Sequence, residues 1–173
     1  TTSVISITPH ATFRGDTSIV NIDLVGDTNA TGTNVVDLSA LTEAGAMAVT
    51  GSSGIDQITL SSGVDTVDTG TGTIDDVVIV AARADLGSVN AVLDTIVAGS
   101  GTADTLQING GVTIPSGMDF TNKLSGFEKI TAPATTSVIS ITPHATFRGD
   151  TSIVNIDLVG DTNATGTNVV DLS

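Results

Sequence analysis

The stretch GSSGIDQITLSSGVDTVD occupies residues 51–68 and consists of two consecutive nine-residue segments. Each segment has the same residue type at its fourth, sixth and eighth positions, namely Gly, Asp and an apolar residue: Gly54, Asp56 and Ile58, then Gly63, Asp65 and Val67. Gly tolerates the backbone angles of a tight turn, and alternating β-branched residues favour a strand. The stretch therefore predicts short strands at residues 57–60 and 66–68, separated by tight turns.

The nine-residue pattern continues in weaker form on the C-terminal side. A third segment at residues 70–78 needs one inserted residue and contains Asp75 and Asp76. A fourth, degenerate segment at residues 99–106 contains Asp104.

These segments resemble the RTX (hemolysin-type) calcium-binding repeats and, more loosely, the β-helical bacterial S-layer proteins and giant adhesins that contain such repeats. The resemblance implies a parallel β-solenoid, in part an RTX-like β-roll, with the apolar residues pointing inward. It also implies Ca²⁺ bound between turns that are stacked two segments apart. Aspartate carboxylates and backbone carbonyls suit this ion, since Ca²⁺ takes six to eight oxygen ligands with tolerant geometry.

The resemblance assigns the calcium ligands to specific residues of this chain. Asp56 would face Asp75 or Asp76, and Asp65 would lie on the opposite edge. The full set is Gly51, Gly54, Asp56, Gly63, Asp65, Asp75, Asp76 and Asp104. The alternative is that Gly-Asp turns simply join short strands, with the aspartates accepting backbone hydrogen bonds.

The rest of the chain is also predicted to be mainly β, with one exception. Alternating or continuous apolar residues predict further strands at residues 3–8, 18–25, 34–39, 48–50, 76–82, 105–108, 112–114 and 127–131. Between residues 88 and 97, apolar residues recur at helical spacing, with Ser88 as a candidate N-cap and Gly99 as a candidate end. We predict a short helix at residues 88–97; the competing interpretation is one more strand at residues 93–97.

The two ends of the chain carry the same sequence. Residues 135–173 repeat residues 1–39 letter for letter, at an offset of 134 residues. The identity predicts a tandem array in which residues 1–134 are one unit and residues 135–173 begin the next identical unit. The alternative is a cloning overlap. Residue 1 is not Met and no signal peptide is visible, which predicts a processed chain or a fragment.

The composition narrows the class of partner. The net charge is −14 and cysteine is absent. A polyanion of this kind repels nucleic acid and anionic lipid and attracts divalent cations. The longest apolar run, residues 77–82, is too short to span a membrane. Four Phe residues are the only aromatics, so anchors for a ligand pocket are scarce.

These observations predict a non-enzymatic structural protein. We expect an extracellular or cell-surface bacterial repeat that associates with identical repeats in a filament, S-layer or giant adhesin and is stabilised by calcium. The alternative function is a calcium-dependent adhesive module that recognises a surface or a cell-surface glycan. A secreted β-helical enzyme is a third hypothesis, which the five scattered basic residues disfavour.

Overall fold

Short strands and tight turns make up almost the whole chain, as its Gly, Ser and Asp content dictates. The computed structural model describes residues 4–17, 19–42, 45–88, 90–109, 111–133, 137–162 and 166–172. Its helices are α1 (Phe13–Thr17), α2 (Phe147–Thr151) and a 3-10 turn (Arg83–Asp85). None of the helices within these ranges has the length and apolar character needed to span a membrane.

The described ranges contain 17 strands, so the protein is mainly β, as predicted. They are β1 (Ser6–Ile7), β2 (Asn21–Asp23), β3 (Thr33–Asp37), β4 (Ala48–Thr50), β5 (Ile55–Thr59), β6 (Thr66–Asp68), β7 (Val77–Val80), β8 (Gly87–Ser88), β9 (Ala91–Val92), β10 (Thr95–Val97), β11 (Thr105–Ile108), β12 (Thr113–Ile114), β13 (Leu124–Ser125), β14 (Lys129–Thr131), β15 (Ser140–Ile141), β16 (Asn155–Asp157) and β17 (Val169–Val170).

Fifteen of these strands form three parallel sheets. Sheet 1 has the order β1-β3-β5-β7-β11-β14-β16, sheet 2 the order β13-β10-β6-β4-β2, and sheet 3 the order β12-β15-β17. From β1 to β7 the chain alternates strictly between sheets 1 and 2. Each strand pairs in parallel with the next one in its sheet because the chain crosses to another sheet before it returns.

The core lies between the sheets and consists of apolar residues in register. On sheet 1, the pairings align Val36, Ile58, Val78, Leu106 and Ile130, all of them buried. On sheet 2 they align Ile22, Val49, Val67, Ile96 and Leu124, which are also buried. Burying each such side chain contributes about 1.5–3 kcal/mol, so the stacked rows are the main source of stability.

The helix predicted at residues 88–97 is wrong. β8 and β9 form an antiparallel hairpin there, and β10 joins sheet 2, which confirms the competing strand interpretation at Thr95–Val97. The buried positions alternate, and they include a charged residue: Val92, Asp94, Ile96 and Ala98. Because Asp94 takes an inward position, the apolar residues alone show a misleading helical spacing.

The two copies of the repeated stretch keep their internal pairing but join different sheets. β1 and β3 pair in sheet 1, whereas their counterparts β15 and β17 pair in sheet 3, next to β12. β2 lies in sheet 2, whereas its counterpart β16 extends sheet 1 beside β14. Sheet 2 ends at β13, where α2 packs instead of a further strand and Phe147 meets Phe120 edge-on, with ring centroids 5.0 Å apart.

Candidate functional site: two rows of buried carboxylates

A row of polar side chains runs across sheet 1, each two residues before a buried apolar residue of its strand. This first row comprises Asn34, Asp56, Asp76, Asp104 and Glu128. The first four are almost completely buried, and Glu128 is half-buried. The uniform register of the sheet places them on neighbouring strands.

Backbone hydrogen bonds connect the members of the first row. The N–H groups of Asp56 and Asp76 donate to Oδ1 of Asp76 and Asp104 at 2.8 and 2.7 Å, and the N–H of Asp104 donates to Oε2 of Glu128 at 2.9 Å. At the other end, Asn34 Nδ2 donates to Asp56 Oδ1 at 3.0 Å. Asp76, Asp104 and Glu128 thus each supply the acceptor that the backbone N–H of the preceding row member requires.

A second, shorter row lies on sheet 2 and comprises Asp65 and Asp94. Both are 0% exposed, and the N–H of Asp65 donates to Asp94 Oδ1 at 2.9 Å. In each row one buried carboxylate oxygen, Oδ2 of Asp94 and Oδ2 of Asp104, accepts no hydrogen bond from the described part of the chain.

The two nine-residue segments form the same turn ahead of their aspartates. Ser52 donates to Asp56 Oδ2 through its N–H at 2.7 Å and its hydroxyl at 3.0 Å. Nine residues later, Ser61 donates to Asp65 Oδ2 through its N–H at 2.8 Å and its hydroxyl at 2.9 Å. The sequence pattern Ser-Ser-Gly-x-Asp therefore builds one turn twice, once leading into sheet 1 and once into sheet 2.

Burial changes the acidity of both rows. Desolvation, together with repulsion by Asp65 and Asp85, raises the pKa of Asp94 to about 8. Desolvation, with repulsion by Asp56 and Asp104, raises the pKa of Asp76 to about 6. Desolvation also raises the pKa values of Asp65, Asp85 and Asp104. Burial at these five carboxyl groups therefore favours their protonated forms.

The structure brings three of the predicted calcium ligands, Asp56, Asp76 and Asp104, together in the first row and places the others elsewhere. Asp56 and Asp76 lie on neighbouring strands and Asp65 lies on the other sheet, whereas Asp75 is exposed and accepts the N–H groups of Thr102 and Ala103. Gly51, Gly54 and Gly63 lie in the turns.

Each acid of this set accepts at least one hydrogen bond from the chain. No group of three or more His, Cys, Asp or Glu side chains that could hold a metal ion occurs within the described ranges. The oxygens of Asp56 and Asp65 face N–H and O–H donors instead. Calcium binding stays a prediction, and the role proposed below does not depend on it.

Sequence reasoning missed three row members, Asn34, Asp94 and Glu128. It also missed the two turn serines that donate to the rows, Ser52 and Ser61. A signal for the row members was present, because a polar residue stands two positions before the inward apolar residue in β3, β5, β7, β11 and β14. Aligning the strands on that apolar residue, and not on the turn glycines, would have revealed it.

Comparison of this chain with protein-family models, with curated proteins and with solved structures finds no match. The function is therefore proposed from the geometry and the repeated sequence.

Replacing Asp94 by Asn should stabilise the protein at alkaline pH. A raised pKa means that the contribution of Asp94 to stability is present in full below its unfolded value of 3.8 and is lost as pH rises through about 8. Asn retains the Oδ1 acceptor without the charge, as Asn34 does in the first row. We expect Asp94→Asn to add on the order of 2 kcal/mol at pH 8, or roughly 4–8 °C in Tm, and much less at pH 4.

Thermal melts of the two proteins between pH 4 and 9 check this expectation. Asp119→Asn is the matched control, because a hydrogen bond from Thr121 lowers the pKa of the exposed Asp119 carboxyl. The contribution of the Asp119 carboxylate to stability is present at high pH and is lost as pH falls. The Asp119→Asn protein should therefore be less stable than the parent at pH 8, and it should not be more stable at any pH. If the Tm of Asp94→Asn followed that of the parent at every pH, the expectation that the buried Asp94 carboxylate destabilises the fold at alkaline pH would be wrong.

Proposed function

We propose that this chain is a structural repeat that stacks end to end as a parallel β-solenoid. The observation that carries the proposal is the junction between the two copies of the repeated stretch. β16 extends sheet 1 and β15 extends sheet 3, so the second unit continues the hydrogen-bonded ladders of the first. Sheets 1 and 3 therefore have no free edge at the junction, and α2 covers the edge of sheet 2 at β13.

The path of the chain supports the solenoid. Apart from the β8–β9 hairpin, successive strands lie in different sheets. Every pairing in the three sheets is parallel, and the apolar rows keep their register from strand to strand. One passage through the sheets is a rung, and β11, β12 and β13 form such a rung across sheets 1, 3 and 2. Rungs of this kind bury one another's apolar residues, which single rungs cannot do.

Backbone hydrogen bonds join the described residues on the two sides of the junction. The N–H of Ala132 donates to the carbonyl of Asp157 at 3.2 Å, and the N–H of Asn155 donates to the carbonyl of Glu128 at 3.2 Å. Lys129 and Asp157 add an ion pair at 3.4 Å, which contributes little because it is partly exposed to solvent. Tension along the array would therefore load a continuous ladder of backbone hydrogen bonds.

The pairing also defines the symmetry of the array. From β1 to its counterpart β15 there are four steps along sheet 1 to β11, one change of face to β12, and one step along sheet 3. With about 4.8 Å per parallel strand step, the five steps and the change of face together advance each unit by about 26 Å along the axis of the array. The change of face turns each unit by about a third of a revolution about that axis. Sheet 3 of one unit thereby becomes sheet 1 of the next, and sheet 1 becomes sheet 2.

The setting we propose is the exterior of a bacterial cell, in a filament, S-layer or giant adhesin. The resemblance of residues 51–76 to RTX-type repeats supports this setting. The net charge of −14 and the absence of cysteine are compatible with it. The partners are identical repeats, with no role for nucleic acid or membrane insertion, and the role is mechanical and not enzymatic.

Chains of one, two, four and six complete 134-residue units test the proposal. We expect rods in electron micrographs that lengthen by about 26 Å per unit, with a pattern that recurs every three units, and a Tm that rises with the number of units. Discrete globules joined by variable gaps, or a Tm independent of unit number, would contradict end-to-end stacking.

The same chains decide the role of calcium and the adhesive alternative. If calcium closes the turns, a chelator should lower Tm and shorten or loosen the rods; if hydrogen bonds within the acid rows suffice, both stay unchanged. Binding of isolated units to a cell-surface glycan, without rods, would favour the adhesive module.

A further inference from the structure

The outer face of sheet 1 is uncharged at its centre. In β5, β7 and β11, the residues that point away from the core form two rows in register: Gln57, Val77 and Thr105, then Thr59, Ile79 and Gln107. None of these six residues carries a charge, in a chain with 19 acidic residues. We name these six residues the outer patch.

The strand β7 at the middle of the outer patch is apolar on both of its sides. All four of its residues, Val77–Val80, are apolar. Two of them point into the core, whereas Ile79 is 8% exposed without belonging to the core between the sheets. A parallel strand that is apolar on both sides is typical of a sheet covered on both faces. The outward residues of β6 on sheet 2, Thr66 and Asp68, are instead polar and exposed.

The charge of the chain favours a second copy as the cover of the outer patch. The net charge of −14 makes two copies repel each other through most of their surfaces. At the outer patch, two copies can meet without bringing carboxylates opposite one another. A basic partner would instead favour the outer face of sheet 2, where Asp23 and Asp68 are exposed.

We propose that the outer patch is a lateral contact that binds the outer patch of a neighbouring array, so that arrays pack side by side. Two sheets in face-to-face contact lie about 10 Å apart, and their alternating side chains interdigitate. Both partners use the same surface, so the contact has two-fold symmetry. This lateral contact rests on the proposed end-to-end stacking and adds a second direction of assembly to it.

One lateral contact is too small to hold two arrays together. The outer face of β3, β5, β7 and β11 measures about 19 Å across the strands and about 15 Å along them, so a pair of faces buries roughly 600 Å² in total. Stable association needs about 1,200 Å² or more. Because successive units turn by about a third of a revolution, two arrays meet once in about three units, and two contacts require about four units or more.

Chains of one and six complete 134-residue units test the lateral contact, with a chelator present to prevent bridging by calcium. Salt at about 1 M screens the repulsion between the chains. We expect six-unit rods to form side-by-side bundles in electron micrographs at this salt concentration, and single units to stay monomeric in light scattering. Separate rods at every salt and protein concentration would overturn the lateral contact and leave end-to-end stacking intact, whereas the absence of rods would overturn both.

Two substitutions that add the same charge identify the surface. Gln57→Glu in every unit adds a carboxylate to the outer patch without changing the shape of the side chain, and should raise the protein concentration at which bundles form by about tenfold or more. Ser62→Glu adds a carboxylate at an exposed turn and is the matched control, which should form bundles as the parent does. Equal shifts for the two variants would overturn the proposal.

Val77→Thr tests the same patch without a change of charge. Threonine keeps the β-branched shape but replaces a methyl group by a hydroxyl, which disfavours a buried apolar contact. We expect bundles of this variant to need a protein concentration about threefold or more above that of the parent, with the Tm of single units unchanged. Bundle formation at the parent's concentration by both Val77→Thr and Gln57→Glu would contradict the lateral contact.

Discussion

Replacing Gly70 by alanine should lower the free energy of unfolding by about 3–5 kcal/mol, or roughly 6–20 °C in Tm. Gly70 has φ +110°, a backbone conformation that costs any residue with a Cβ. A Cβ at this position would also lie 2.0 Å from the carbonyl oxygen of Ser52 on the neighbouring rung. Backbone cannot move aside as a side-chain end can, so both costs apply.

Gly26→Ala is the control for this substitution. No atom lies within 4 Å of a Cβ built on Gly26, and its φ is not in the left-handed region. We expect its stability to stay within about 0.5 kcal/mol of the parent. Urea unfolding of the two variants measures the difference in the free energy of unfolding. If Gly70→Ala were as stable as Gly26→Ala, the close packing of the Ser52 carbonyl against Gly70 would be contradicted.

The second large effect comes from one substitution made at two identical places in the sequence. Leu38→Ala removes a side chain that is 0% exposed and should cost about 2–5 kcal/mol. Leu172→Ala removes its counterpart, which is 65% exposed, and should change stability by less than about 0.5 kcal/mol. The sequence that precedes Leu38 and Leu172 within the repeated stretch is the same, so that local sequence cannot produce the difference and the tertiary environment must.

Denaturant unfolding at low protein concentration is the appropriate measurement. Equal losses for the two variants at the lowest concentration would mean that residues 166–172 are covered in the isolated chain, contrary to the structure.

Much of the fold was predictable because its strands are short and half-buried. The strands at residues 48–50, 66–68 and 105–108 have the predicted bounds, and alternation of β-branched and polar residues was the signal. The interpretation failed at residues 88–97, where Asp94 occupies an inward position that period-two reasoning reserves for apolar residues. A buried carboxylate cannot be recognised from its own identity, because its burial depends on the N–H donor of a residue 29 positions away.

The candidate site was predictable only in its residue types. The pattern at residues 51–68 identified Asp56 and Asp65 as the acids of two equivalent turns and indicated that they lie on opposite sides. The resemblance to RTX repeats implied calcium ions, bound between stacked turns on each edge, as their partners. The partners in the structure are the N–H and hydroxyl groups of Ser52 and Ser61, together with neighbouring strands. Sequence spacing alone does not distinguish a carboxylate that binds an ion from one that accepts a backbone hydrogen bond.

The sequence by itself determined the mainly β class, most strands, the turns at the Gly-Asp positions and the existence of two identical 39-residue stretches. These depend on local backbone preference and on periodicity, which are encoded within a few residues. Only the tertiary structure decided which sheet each copy joins, which of its faces is covered, and which acids are buried together. The same 39 residues join sheets 1 and 2 in the first copy and sheets 3 and 1 in the second, because packing depends on the neighbouring rungs and not on the stretch itself.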